Sequence, residues 1–354
     1  MLETVPEPVL EDLRARLRAY RRVALPPGLG WERGVDGDFL AGLLSHWAEH
    51  YDWRVHEARI RALPWTRTAA PVRLIHQRVT THDVPVVLLH GWPDSVLRFD
   101  RVLPLLPDLN VVVPALPGFP FAAPVPGGGM SAAAMAEVVA AAMAELGYDR
   151  YVVSAGDVGC DVAEALAATH PGNVAALHLT DVSQYRFLVD LPDDLSPAEQ
   201  AYVRHGHRWQ AQEGGYMREQ ATKPHTLAVG LGDSPAGLAA WLVEKLRAWT
   251  DCGGDVTTVF TYDELLTWIT AYWVSGSIGT SFTPYAQATR PQEPITAPTA
   301  FTIFPKDLVN APREFAERFF DVRSWVEETR GGHFAAWECP ERYAAGVRTA
   351  ISLA

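Results

Sequence analysis

The sequence contains only three cysteines, Cys160, Cys252 and Cys339, and no long apolar run. An odd and sparse set of cysteines cannot form the disulfide framework of a small secreted protein. No apolar run approaches the roughly 18 residues of a membrane span, and the first residues carry acids and prolines where a signal peptide needs an apolar stretch. We therefore expect a protein of the reducing cytoplasm that has no membrane partner.

Positive charge is also scarce in this chain. The 30 Lys and Arg residues are outnumbered by 42 Asp and Glu residues, which gives a formal net charge of -12. Proteins that bind the phosphate backbone of nucleic acids concentrate Lys and Arg on one surface, because that charge supplies most of the affinity. The charge balance therefore argues against nucleic acid as a partner.

The apolar residues that are present suffice for a large core. They make up 48% of the 354 residues, and the length lies above the usual range of one small domain. From residue 72 onward, strand-like runs alternate with helix-like stretches, which predicts a doubly wound, mostly parallel α/β sheet whose continuous Val-rich strands are buried on both faces. The runs cover residues 72–79, 84–90, 109–116, 151–155 and 174–181.

Helical segments flank this α/β core on the N-terminal side and as an insertion. Residues 1–70 read as an extension of amphipathic helices, with Leu residues at helical spacing. After the last of the five runs the alternation stops, and residues 183–296 are rich in Trp, Tyr and helical periodicity, which predicts an inserted helical cap. The core then consists of residues 71–182 and 297–354, and it closes with two more strands and a helix.

The strongest chemical signal is the turn Ala-Gly-Asp-Val-Gly at residues 155–159, between a strand and a helix. It has the pattern of the nucleophile elbow, with Asp157 at the position where esterases carry Ser. Small residues flank such a nucleophile because the turn is strained and leaves no room between strand and helix. A simple helix cap is the alternative reading of Asp157. The elbow reading predicts an α/β-hydrolase fold.

Two backbone N–H groups are candidates for an oxyanion hole. One belongs to Trp92, because the strand at 84–90 runs into His90-Gly91-Trp92-Pro93, where this fold donates an N–H. The other belongs to Val158, which directly follows Asp157. We expect the His90 side chain to hold the loop and to take no part in the chemistry.

An acid and a histidine follow the elbow in the order that the fold requires. Asp307 comes after the strand-like run at 299–304, and His333 lies on a glycine-rich loop. Taken singly, Asp307 could cap a helix and His333 could be an ordinary loop residue. Their joint arrangement with Asp157 predicts a catalytic triad.

This string of motifs resembles the epoxide hydrolases of the microsomal and juvenile-hormone type and their bacterial relatives. The resemblance covers nearly the whole chain, from YDW and HGWP through QATKPHTLAVGLGDSPAGLAAWLVEK and YWVSGSIGTSFTPY to FPKDL and RGGHFAAWE. It implies Asp157 as nucleophile, Asp307 as acid partner and His333 as base. In the cap, it implies Tyr216 and Tyr285 as proton donors to the epoxide oxygen.

The chain departs from the family pattern at three places. Val158 stands where the family commonly has Trp, which keeps the N–H but removes an aromatic wall, so we expect a wider pocket. Thr283 and Pro284 occupy the stretch before Tyr285, where Arg is common, which makes Tyr272 the substitute donor to consider. The membrane anchor of the microsomal members is missing.

The resemblance implies hydrolysis of an organic epoxide to a vicinal diol through an alkyl ester on Asp157. The implied partners are the epoxide and water, with a homodimer left open. No metal or organic cofactor is required, and His205 and His207 are too isolated from other ligands for a zinc site. Detoxification and natural-product biosynthesis are both compatible roles, and the expected wide pocket favours the second.

Two other functions fit parts of the pattern. A haloalkane or haloacetate dehalogenase uses the same Asp nucleophile, but it needs indole or similar donors for the halide, and Val158 and the paired cap tyrosines count against it. A non-catalytic ligand-binding protein of the same fold would need none of the Asp157, Asp307 and His333 set.

Overall fold

The structure, a computed structural model, describes residues 2–79, 84–125, 128–189, 191–288 and 294–354. In these residues a single sheet of eight strands has the order β1-β2-β4-β3-β5-β6-β7-β8. The strands are β1 (Trp65–Arg67), β2 (Arg73–Gln77), β3 (Val86–Leu89), β4 (Val111–Ala115), β5 (Tyr151–Ala155), β6 (Val174–Leu179), β7 (Ile295–Ile303) and β8 (Phe320–Glu327). Strand β2 pairs antiparallel with both β1 and β4, and every other pairing is parallel. The sheet is therefore mixed but mostly parallel, as predicted.

The helices of the described residues precede, interrupt and follow this sheet. They are α1 (Glu7–Arg18), α2 (Gly37–Glu49), α3 (Trp53–Arg61), α4 (Ala132–Glu145), α5 (Val158–Thr169), α6 (Tyr185–Leu188), α7 (Pro197–Gln212), α8 (Gly215–Thr222), α9 (Pro224–Asp233), α10 (Pro235–Ala248), α11 (Tyr262–Ser275), α12 (Thr283–Ala286), α13 (Arg313–Ala316), α14 (Ala335–Glu338) and α15 (Pro340–Ile351). Helices α6 to α12 lie between β6 and β7, in the region expected to form the cap.

The core lies on both faces of the sheet, because successive side chains of a strand point to opposite faces and the strands carry continuous apolar runs. Val87 and Leu89 of β3 belong to one buried cluster, which includes side chains of α4 and α5. Val86 and Leu88 of the same strand belong to a second cluster, which includes side chains of α14 and α15. Strands β3 to β6 are buried along their whole length, which explains why they carry almost no charge.

The element boundaries correct the sequence-based ranges at three places. Strand β1 lies within residues 1–70, which were expected to be helical only. Strand β7 begins at Ile295, inside the range 183–296 given to the cap, because Ile295 already pairs with Phe320 of β8. The helical reading of residues 1–70 is also interrupted between α1 and α2, where two prolines precede Gly28, whose positive φ of 81° is incompatible with a helix.

The N-terminal helices pack against helices of the inserted region. His46 of α2 is 2.7 Å from the carboxylate of Asp263 on α11, and the Tyr51 hydroxyl lies 3.1 Å from the Thr267 hydroxyl. In the described residues, no single helix is long and apolar enough to cross a membrane. Helices α9 and α10 meet that requirement only as a pair, and they bend by 114° where they join.

Candidate active site

The elbow places Asp157 in a backbone conformation that side chains rarely adopt. Its φ is 57° and its ψ is -135°, a strained combination that costs about 1 to 3 kcal/mol. The strand-to-helix crossing above it is tight: a Cβ on Gly159 would lie 2.6 Å from the Leu89 carbonyl oxygen. A Cβ on Gly91 would collide with the Asp157 side chain. The glycines are therefore needed for close approach around the carboxylate.

The Asp157 carboxylate faces backbone donors on one side. The Trp92 N–H donates to Oδ1 over 2.7 Å, and the Val158 N–H also hydrogen-bonds the carboxylate. Burial raises the pKa of Asp157, but the hydrogen bond and charge of His333, together with the two N–H groups, outweigh burial and lower that pKa overall. Asp157 is therefore an ionised carboxylate at neutral pH.

His333 lies between two carboxylates. Its Nδ1 is 2.7 Å from Oδ1 of Asp307, and its Nε2 is 3.5 Å from Oδ2 of Asp157. Burial disfavours the charged imidazolium, but the charge of Asp307 and hydrogen bonds with both carboxylates raise the pKa of His333 to about 10. The structure thus brings together the three side chains predicted as a triad, with His333 in the middle.

A buried ion pair holds the backbone of the histidine loop. The Arg98 guanidinium donates to the His333 carbonyl oxygen over 2.6 Å and to the Asp94 carboxylate over 2.6 Å. On the other side, the His333 N–H donates to the Trp249 carbonyl oxygen over 2.9 Å. The pair Asp94 and Arg98 was not singled out from the sequence, although its spacing of four residues and its position after HGWP were usable signals.

A second carboxylate, that of Glu338, closes the same loop. It accepts the N–H groups of Gly332 and Phe334, each over 2.9 Å, and that of Asp251 over 2.8 Å. Burial raises the pKa of Glu338 to about 6. The loop that carries His333 is therefore fastened on both sides of the imidazole.

The two cap tyrosines lie together over Asp157. Tyr216 of α8 and Tyr285 of α12 have ring centroids 6.0 Å apart, and the Tyr216 ring stacks on Trp92 at 5.3 Å. Both are buried and line the same cavity as Asp157. Burial and the charge of Asp157 raise the pKa of both phenols well above the usual value, so both are protonated donors at neutral pH.

The cavity over Asp157 is narrow, with a volume of about 50 Å³. Val158 lines it, as do Tyr185 and Met217. The expectation that Val158 in place of Trp gives a wider pocket than in the relatives stays a prediction. Four carboxyl groups line the cavity, and no Lys or Arg of the described residues does, so the lining disfavours anionic ligands.

Two other side chains considered from the sequence, His90 and Tyr272, form hydrogen bonds with the backbone. The His90 ring accepts the Leu116 N–H over 3.1 Å, and burial lowers its pKa to about 3, so the ring is neutral. The Tyr272 hydroxyl donates to the Asp94 carbonyl oxygen over 2.9 Å. By contrast, the buried Tyr285 hydroxyl lacks a well-aligned hydrogen bond to any residue that the structure describes.

The sequence analysis missed two carboxyls in the cavity, those of Asp161 and Asp181. The Ser183 hydroxyl donates to Asp161 over 2.5 Å, and the Asp157 N–H donates to Asp181 over 3.1 Å. Asp181 was detectable, because it follows β6 almost directly and functional side chains gather at the carboxyl ends of parallel strands. Asp161 carries no such signal, since an acid in the first turn of a helix is ordinary.

Comparisons with known proteins agree with the fold and the elbow. A family model described as the epoxide hydrolase N terminus matches residues 3–99, and one described as the alpha/beta hydrolase fold matches residues 84–231. The Aspergillus niger epoxide hydrolase structure matches with a TM-score of 0.87 and 26% identity, covering 99% of this chain and 95% of that one.

Curated relatives extend the similarity over the whole chain. A provisionally named epoxide hydrolase of Stigmatella aurantiaca is 35% identical over 97% of this chain and 82% of that protein. The juvenile hormone epoxide hydrolase of Bombyx mori is 30% identical over 98% of this chain and 85% of that protein. The crystal structure of the Bombyx mori enzyme matches with a TM-score of 0.89, covering 99% of this chain and 93% of that one.

The mostly parallel sheet and the strand-turn-helix elbow define the chain as an α/β-hydrolase. Within that class, the chain belongs to the epoxide hydrolase family that includes the juvenile hormone enzymes. It is a hydrolase of epoxides, and its substrates are an epoxide and water.

Proposed function

We propose that this epoxide hydrolase works through a covalent alkyl ester on Asp157, with His333 and Asp307 as the pair that hydrolyses it. The observation that carries the proposal is the environment of the two Asp157 oxygens. Oδ1 is held by the Trp92 N–H at 2.7 Å, whereas Oδ2 faces His333 at 3.5 Å. One oxygen is thus held by the oxyanion donors, and the other is free to attack.

In the first step, Asp157 Oδ2 attacks an epoxide carbon, and the bond between that carbon and the epoxide oxygen breaks. An ionised carboxylate needs no base for this attack, because it already holds the nucleophilic electron pair. The alkoxide that forms takes a proton from Tyr216 or Tyr285, whose hydroxyls lie over the same cavity. The product is a hydroxyalkyl ester of Asp157.

In the second step, water attacks the carbonyl carbon of that ester while His333 takes a proton from the water. The negative charge develops on Oδ1, which accepts the Trp92 N–H, and the Val158 N–H also hydrogen-bonds this carboxyl group. The intermediate then collapses, and the diol oxygen leaves with the proton that His333 took from the water. Asp157 is released as a carboxylic acid whose proton returns to His333, which replaces the proton that His333 gave to the tyrosinate after the first step. The order of events is set electrostatically, because alkylation removes the Asp157 charge that helps to keep His333 protonated.

The residues around the cavity favour epoxide hydrolysis over dehalogenation and over a purely ligand-binding role. Two phenols over the carboxylate suit an alkoxide leaving group, whereas Val158 offers no indole donor for a halide, which disfavours dehalogenation. The complete set of Asp157, Asp307 and His333 disfavours a purely ligand-binding role. The acidic lining of the cavity disfavours an anionic substrate.

We also propose the wider setting of the reaction. The helices between β6 and β7 act as the cap that supplies Tyr216 and Tyr285, over the core that carries the eight-stranded sheet. The three cysteines are all free and buried, which supports a cytoplasmic location. Detoxification or natural-product biosynthesis is the proposed role.

The covalent route is tested by following the oxygen of water. With enzyme in molar excess over styrene oxide in oxygen-18 water, we expect the first diol to be unlabelled, because its new oxygen comes from Asp157. The peptide containing Asp157 should gain the label, and labelled diol should appear only over several turnovers. Mass spectrometry of the diol and of the peptide measures both.

The His333→Gln variant is the matched control in this experiment. It should be alkylated but should not release diol, so intact-mass spectrometry should show the substrate mass added to the protein. A labelled first diol together with an unlabelled Asp157 peptide would show direct attack by water and would refute the covalent route.

A further inference from the structure

Asp181 is a buried carboxyl that the mechanism above leaves without a role. It follows β6 and lines the cavity beside Asp157. Its Oδ1 accepts the backbone N–H of Asp157 over 3.1 Å and the thiol of Cys160 over 2.9 Å. Both donors belong to the elbow or to the first turn of α5. Asp181 thus ties the strained turn to the end of the neighbouring strand.

The charges around Asp181 make an ionised carboxylate unfavourable there. Asp157 and Asp307 already share one imidazolium, that of His333, so a third carboxylate would add an uncompensated negative charge in a buried site. Burial, followed by the charge of Asp307, raises the pKa of Asp181 to about 7. At and below neutral pH, Oδ1 can accept both hydrogen bonds while Oδ2 carries the proton.

We propose that Asp181 is a positioning residue of the nucleophile elbow that acts as a neutral carboxylic acid. It holds the Asp157 N–H, and its neutrality keeps a second negative charge away from the oxyanion that forms on the Asp157 ester. This inference rests on the covalent mechanism proposed above and deepens it, because it names the group that limits hydrolysis of the ester at alkaline pH.

Ionisation of Asp181 acts mainly on the second step. Alkylation consumes the negative charge of Asp157, whereas ester hydrolysis creates a negative charge on Oδ1, next to the turn that Asp181 holds. Asp181 stays protonated in the ester. The charge of Asp157 raises the pKa of Asp181 and the charge of His333 lowers it, and both charges are lost together when the ester forms. A rise in pH through about 7 should therefore slow hydrolysis and let the ester accumulate.

The choice of variants distinguishes the ionisation of Asp181 from the ionisation of its neighbours. The titratable groups that face it are those of Asp157, Cys160, Asp161, Tyr202, Asp307 and His333. Asp161 offers the matched control, because it is also buried and lines the same cavity, but it bonds the Ser183 hydroxyl and not the elbow backbone.

The test compares Asp181→Asn, Asp181→Ala and Asp161→Asn with the wild type, with styrene oxide as substrate, between pH 5 and 9. Quenched reactions analysed by intact-mass spectrometry give the fraction of ester, and steady-state kinetics give kcat and KM. We expect Asp181→Asn to keep kcat within about threefold of the wild type at pH 6, because the amide still accepts the Asp157 N–H. The alkaline rise in ester, which is the increase in the ester fraction above about pH 7, should be lost because the amide stays neutral.

The remaining variants show whether the hydrogen bond itself matters. Asp181→Ala should lower kcat by about tenfold at every pH with little change in KM, because the acceptor is gone. Asp161→Asn should keep the alkaline rise in ester. An Asp181→Asn enzyme that keeps that rise, or that is as slow as Asp181→Ala, overturns the inference while the covalent mechanism stands. Absence of any ester in the wild type and in His333→Gln overturns the mechanism and the inference with it.

Discussion

At the scale of single residues, the site depends on donors that stay protonated next to a carboxylate that stays charged. The phenols of Tyr216 and Tyr285 are buried beside Asp157, and burial and the charge of Asp157 both raise their pKa values. A phenol that is hard to ionise in the resting enzyme is a poor acid there, but in the proposed mechanism it becomes a good one when the negative charge moves from Asp157 to the epoxide oxygen. The same transfer therefore creates the alkoxide and removes the charge that opposed proton donation.

We expect Tyr216→Phe and Tyr285→Phe each to slow alkylation by about 10- to 100-fold, less than the roughly 100- to 1000-fold cost of losing a lone oxyanion donor, and the double variant to be far slower. The single losses stay limited because one hydroxyl partly replaces the other. Stopped-flow quenching of Trp fluorescence during a single turnover measures the rate, since Trp92 stacks on Tyr216. Tyr185→Phe is the control, because that phenol lines the cavity without an assigned role, and an equal effect there would remove the assignment of the pair.

At the scale of elements, the elbow works because β3, β5 and α5 approach closely. The backbone between β5 and α5 turns at Asp157 with a positive φ, and α5 then passes over the end of β3. Gly159 lies at the crossing, where an added Cβ would be 2.6 Å from the Leu89 carbonyl oxygen and 2.8 Å from that of His90. Backbone atoms cannot move aside as a flexible side chain can, so the helix would have to shift.

We expect Gly159→Ala to lower the free energy of unfolding by about 1 to 3 kcal/mol, the usual cost of overpacking. It should also reduce kcat, because a shifted α5 moves the Val158 N–H away from the Asp157 carboxylate. Thermal unfolding and steady-state kinetics measure the two effects. Gly172→Ala is the control, because nothing lies within 4 Å of a Cβ there. A Gly159→Ala enzyme as stable and active as Gly172→Ala would contradict the tight crossing.

At the scale of the whole molecule, folding buries groups that hold protons more tightly than they do in the unfolded chain. The pKa of His333 rises to about 10 and that of Asp181 to about 7. In each case the folded state binds more protons than the unfolded state between the ordinary and the shifted pKa. Both groups therefore make the folded state less stable as the pH increases across their own ranges.

We expect the melting temperature of the wild type to fall between about pH 6.5 and 10. The contribution of His333 is fully present below its unfolded pKa of roughly 6.5 and is lost as the pH rises through its folded value of about 10. The His333→Gln variant should show a flatter decline over this range, as measured by thermal unfolding at each pH. His50→Gln, at an exposed histidine, should decline like the wild type. Parallel curves for wild type and His333→Gln would contradict the raised pKa.

Much of the fold and the positions of the main site residues could be predicted because the relevant signals are local. The Val-rich runs predicted the buried strands, since a strand covered on both faces has no polar side to display. The small residues around Asp157 predicted the elbow, because a strained turn restricts its own neighbours in the sequence. Loop and strand boundaries were less accurate: the break after α1 and the start of β7 at Ile295 depend on how each segment packs against the sheet.

The sequence by itself determined the family, the fold class and the order in which Asp157, Asp307 and His333 follow one another. Only the tertiary structure decided that Asp181 joins them, that Arg98 and Glu338 hold the histidine loop, and that the cavity is narrow. The physical reason is that a motif records the constraints of a continuous segment. The distances between strand ends, the burial of each charge and therefore the protonation of each group arise only when distant segments pack together.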